Sequence, residues 1–207
     1  IYRSAARELL SVTFAVSSFV AGVLFALVLG YAFSRVPFRL SVRIAAAWLA
    51  LFIIEMFSNI VEAYFFTTQI ATVPLFLAAT MLALVITFIQ ALLVGVLFTP
   101  AEPVRSLTTE IKGYFTQRPW HSWFSRIVLC SAVYFPIYFT FGAIISPIVL
   151  PYYTSPSYGL RIPSFEVMVP LELLRGFLYV IALLPLLVAL RIGRRSLYAV
   201  IASILYV

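Results

Sequence analysis

The chain has 207 residues, 64% of them hydrophobic and only 10% charged, with a mean hydropathy of +1.10. A soluble domain carries about 25% charged residues, so a soluble domain, a disordered chain and a nucleic-acid binder are excluded. The net charge of +7 sits in short clusters between long apolar runs, the arrangement of a multi-pass membrane protein.

A membrane-spanning helix needs about 20 apolar residues. Five runs meet that need, at about 9–33, 44–66, 73–98, 127–150 and 167–190, and a sixth begins at 196 and stops at 207. The expected fold is an all-α integral membrane bundle, one transmembrane domain over 1–207, with five full spans and a truncated sixth. The chain starts at Ile1 rather than Met and stops within an apolar run, so both ends read as cut.

Two runs carry small residues every fourth position: Ser18, Gly22, Ala26 and Gly30 in the first, and Ala79, Ala83, Thr87, Ala91 and Gly95 in the third. Such ridges let backbones approach closely. They predict packing of one span on the other, or a homo- or hetero-oligomer. Between the third and fourth runs, Val104, Leu107, Ile111 and Phe115 recur at helical spacing. That pattern predicts an amphipathic interfacial helix at about 103–118, anchored by Trp120, Trp123 and Phe124.

The basic residues divide unevenly. Loops 34–43, 99–126 and 191–195 hold ten of them, against three on the other side, Arg3, Arg7 and Arg161. The positive-inside rule makes the three rich loops cytoplasmic. The expected location is a plasma membrane.

The chemistry concentrates in a few intramembrane polar residues. Glu55, Asn59 and Glu62 stand at i, i+4 and i+7 of the second span, hence on one stripe. Glu172 and Arg175 stand at i, i+3 of the fifth. An ionisable group at mid-membrane costs about 2.5–3.5 kcal/mol on the insertion scale, so these must face protein, water or a ligand. Glu55 falls near the midplane, roughly 16 Å from the inner end of its span, with Glu62, Glu172 and Arg175 nearer the outer leaflet. Tyr134, Tyr138 and Gln90 are further candidates for the same pocket. Three glutamates against one arginine favour uptake of a proton or cation, with Glu55 the leading candidate. Arg175 alone would suit a small anionic ligand.

Several chemistries are argued against. The single His121 and single Cys130 cannot build the usual zinc or haem sites or an internal disulfide. No cofactor, metal site or catalytic residue is expected. No phosphate-binding glycine loop occurs. Glutamic intramembrane proteases use adjacent glutamates with histidines on later helices, and this chain has neither. The first functional expectation is a small permease with a Glu/Asn/Arg pocket. The second is a non-catalytic subunit or scaffold whose polar network is structural, and the third a lipid-modifying enzyme using Glu as acid and base.

Overall fold

Long apolar segments satisfy their own backbone groups in a bilayer only as helices or closed barrels. Helices form here. The computed structural model describes the backbone of residues 2–68, 70–190 and 192–206, with side chains at 16, 19–68, 70–155, 157–190 and 192–205. Among these residues there is no strand. The α-helices are α1 (Tyr2–Phe33), α2 (Leu40–Ala50), α3 (Ser58–Phe66), α4 (Val73–Leu97), α5 (Leu107–Phe115), α6 (Trp120–Thr154), α7 (Phe165–Ala189) and α8 (Arg194–Tyr206). A π-helical segment, Leu51–Phe57, joins α2 to α3 in one rod, and a short 3-10 turn, Pro156–Tyr158, follows α6.

Four helices are long and apolar enough to cross a membrane: Leu40–Phe66, Val73–Leu97, Trp120–Thr154 and Phe165–Ala189. They match the second to fifth predicted spans. In α1 the described apolar stretch, Phe19–Phe33, is shorter than a span. The remainder of the predicted first span, like Ser18 of its ridge, Arg3, Arg7, Arg191 and Val207, lies outside the described side chains. The predicted partial sixth span falls in the 13-residue α8, with Val200 and Ile204 buried one turn apart.

Boundaries moved where polar loops were expected. The second span starts four residues earlier, at Leu40, so Arg43 belongs to a helix and not to a loop. It is buried; its Nη2 donates to the Gly95 carbonyl at 2.6 Å, near the C-terminus of α4. A cation is favourable there, because the last carbonyls of a helix lack partners and carry the negative end of its dipole. Arg161 does the same for α3 at the other end of the bundle. Its Nε and Nη2 donate to the carbonyls of Phe65 and Tyr64 at 2.7 and 2.8 Å, and its backbone N–H to Phe66.

The interfacial helix is also shorter than 103–118. Residues 103–106 are not helical; the Arg105 amide bonds the Pro37 carbonyl and its side chain pairs with Glu102. Trp123, expected as a lipid anchor, instead stacks on Tyr114 and Phe115 and donates its indole N–H to the Phe115 carbonyl at 2.9 Å. It fastens the end of α5 to the first turns of α6.

The α4 ridge is used inside the chain. Ala83, Thr87, Ala91 and Gly95 are buried, and a Cβ at Gly95 would strike Ile44 of α2. Trp48 reinforces this seam with an N–H to the Leu84 carbonyl at 3.1 Å and an edge-on contact with Phe88. In the α1 ridge, Gly30 lies under the Phe98 ring, while Gly22 has open space beside it. The densest packing gathers at one end of the bundle, where Phe33, Val36, Phe38 and Leu186 are fully buried. Elsewhere α1, α4 and α6 expose apolar side chains such as Phe19, Leu82, Leu93, Leu129 and Ile148, the surface that a bilayer covers.

Candidate functional site

The π-helical segment carries Glu55 through the middle of the rod. Widened turns of this kind leave irregular backbone hydrogen bonding, and side chains make up for it. Ser58 Oγ donates to the Ile53 carbonyl five residues back, at 2.7 Å, and Asn59 Nδ2 to the Glu55 carbonyl at 2.6 Å. The predicted stripe survives the altered phase. Glu55 and Asn59 line one pocket, and Glu62, a turn further on, reaches α7.

Arg175 is the centre of the arrangement. Its Nη1 lies 2.8 Å from Glu62 Oε2 and 3.2 Å from Glu172 Oε2, and its Nη2 donates to the Tyr179 hydroxyl at 3.3 Å. Tyr138 donates its hydroxyl to Glu62 Oε1 at 2.8 Å. The guanidinium carbon lies 5.6 Å from the ring centroids of both Tyr134 and Tyr138. Glu172 is 0% exposed and Arg175 4%, so this is a desolvated charge network, tenable because each charge has partners. Among the described residues Arg175 Nε, like Arg43 Nε, is buried without a hydrogen-bond partner.

Close packing of α6 on α7 makes the network possible. A Cβ at Gly176 would collide with the Ser131 carbonyl and the Tyr134 side chain. Glycine beside Arg175 therefore brings α6 near enough for its tyrosines to meet the guanidinium.

Beside the network opens a pocket of 410 Å³. Its polar wall is Glu55, Asn59, Tyr134, Arg175 and Tyr179; its apolar wall is Ile54 with Ile204 and Leu205 of α8. Among the described residues, no ion pair or hydrogen bond reaches the Glu55 carboxylate. Tyr138 also borders a second, mostly apolar pocket of 320 Å³, which reaches Phe66 and Ile162.

Seven of the eight predicted residues thus converge: Glu55, Asn59, Tyr134 and Arg175 on the pocket, and Glu62, Tyr138 and Glu172 on the network behind it. Gln90 does not join them. It is exposed on α4, because that helix turns its small-residue ridge, and not Gln90, toward α2. Four participants were not anticipated, among them Ile54, the neighbour of Glu55. Tyr179 lies four residues past Arg175 on the same face, a readable signal; Ile204 and Leu205 belong to α8, whose position no local pattern reveals. Among the described residues no group of His, Cys, Asp or Glu is arranged to hold a metal ion. No family model, curated protein or solved structure matches the chain.

Proposed function

We propose that the protein is a small multi-pass permease whose ligand occupies the pocket between the π-helical segment, α6, α7 and α8. The observation that carries this reading is the Glu55 carboxylate, without a partner among the described residues, on a pocket of 410 Å³ midway along a rod long and apolar enough to span a membrane. An intramembrane acid without a partner is costly and is retained mainly where an ion, a proton or a substrate meets it. The volume falls in the range of roughly 300–1,000 Å³ common to small-molecule sites.

In the same reading α1 extends the bundle as a fifth span, α8 begins a sixth, and the protein resides in a plasma membrane. In that reading the side carrying ten basic residues, in segments 34–43, 99–126 and 191–195, is cytoplasmic, as the positive-inside rule favours. The paired Glu62–Arg175–Glu172 network favours a second reading, a membrane subunit whose polar residues only lock helices together.

The test is uptake. Proteoliposomes carrying an imposed proton or sodium gradient are screened with small radiolabelled cations, anions and neutral solutes. The permease reading expects accumulation of at least one class, abolished by Glu55→Gln in protein of unchanged helicity. A flat response to every class, unaltered by the substitution, leaves the subunit reading in its place.

A further inference from the structure

We infer that the pocket's ligand is a small organic ammonium cation, held by the Glu55 carboxylate against the rings of Tyr134 and Tyr179. This rests on the pocket being a ligand site, and it names the class of ligand.

Charge gives the sign. Glu62 and Glu172 already face Arg175 at 2.8 and 3.2 Å. Its Nη2 is engaged by Tyr179, and its unpartnered Nε is buried out of reach. An entering anion would find the one guanidinium already turned to two carboxylates, with one Nη2 hydrogen left over, and a third carboxylate, Glu55, in its way. A cation finds that carboxylate without a competing partner among the described residues.

Size and lining give the class. A bare metal ion is held by six or more oxygens within about 2–2.6 Å. Here one carboxylate, one amide and two phenol hydroxyls are spread around 410 Å³, a space suited to an organic group. Tyr134 and Tyr179 meet at 87° with centroids 5.1 Å apart, forming a corner of two perpendicular rings. Aromatic faces attract ammonium groups within about 6 Å. Ile54, Ile204 and Leu205 on the opposite wall offer apolar contact to alkyl substituents.

The experiment is calorimetric titration of the purified full chain in detergent with tetramethylammonium chloride, and separately with sodium benzoate as an organic anion. The expected result is saturable tetramethylammonium binding, no benzoate binding, and weakening of about tenfold or more in Glu55→Gln and in Tyr179→Leu. Tyr179→Phe, which keeps the ring, stays within about threefold of wild type. Benzoate binding without tetramethylammonium binding overturns the inference and leaves the pocket a ligand site for anions. Binding of neither probe also overturns it, and the uptake screen then decides the permease reading separately. Tetramethylammonium binding that Glu55→Gln leaves unchanged overturns it as well. If Glu55→Gln does not fold, the two wild-type titrations and Tyr179→Phe against Tyr179→Leu still decide.

Discussion

Arg175→Gln is the sharpest perturbation of the polar network. The substitution leaves Glu172, which is 0% exposed, with no cation within reach, and strips Glu62 of its contact at 2.8 Å. Removing one partner of a buried ion pair costs about 3–5 kcal/mol, because the remaining charge stays desolvated. At 1.36 kcal/mol per decade that is roughly a 10²- to 10⁴-fold fall in the folded-to-unfolded ratio. Glu62→Gln is milder. Arg175 keeps Glu172, and Glu62 sits at 27% side-chain exposure, so the loss is that of a charged hydrogen bond, about 1.5–3 kcal/mol. The assay is reversible unfolding in mixed micelles by titration with a denaturing detergent, followed by far-ultraviolet circular dichroism. The double variant Arg175→Met with Glu172→Leu supplies the control: with both charges gone it recovers much of the loss, since an apolar pair of similar volume often replaces a buried ion pair without cost. An Arg175→Gln protein within about 0.5 kcal/mol of wild type, or a double variant that loses the sum of the two singles, refutes this account of the network.

Two further predictions concern packing. Gly176→Ala forces a methyl group onto the Ser131 carbonyl and destabilises by about 1–3 kcal/mol in the same titration, whereas Gly142→Ala, with open space at its Cα, stays near wild type. Arg43→Met removes the bond to the Gly95 carbonyl and costs about 1–3 kcal/mol; Arg39→Met, at an exposed position, shifts the midpoint by less than about 0.5 kcal/mol.

Much of the site was readable because membrane depth penalises charge. In an apolar span every Glu or Arg stands out, and the helical period assigns it a face, so Glu55, Asn59, Glu62, Glu172 and Arg175 could be grouped without coordinates. Tyr134 and Tyr138 followed from flanking Pro136. The misplacement of Gln90 has the opposite cause: a single amide carries too weak a penalty to orient a helix, and the α4 ridge of small residues outweighs it. The boundaries at Leu40 and Trp120 were missed because Arg43 and Trp123 read as surface groups, although each donates to a backbone carbonyl. The π-helical segment has no sequence signature in residue type, and α8 reaches the pocket through tertiary packing alone.

The arginines that close helix ends work at two times in the life of the chain. In the proposed topology Arg43 is one of the charges that would hold the end of its span back during insertion. Once the helices have assembled, that side chain is enclosed and bonded to Gly95, so it no longer reports to the lipid headgroups at all. Arg161, a basic residue of the other expected side, is tied to the end of α3. In that topology, orientation would be written first in charge and then held by backbone contacts. Turning a finished helix pair over would mean breaking the enclosed Arg43 latch, where no water waits to replace the lost bond.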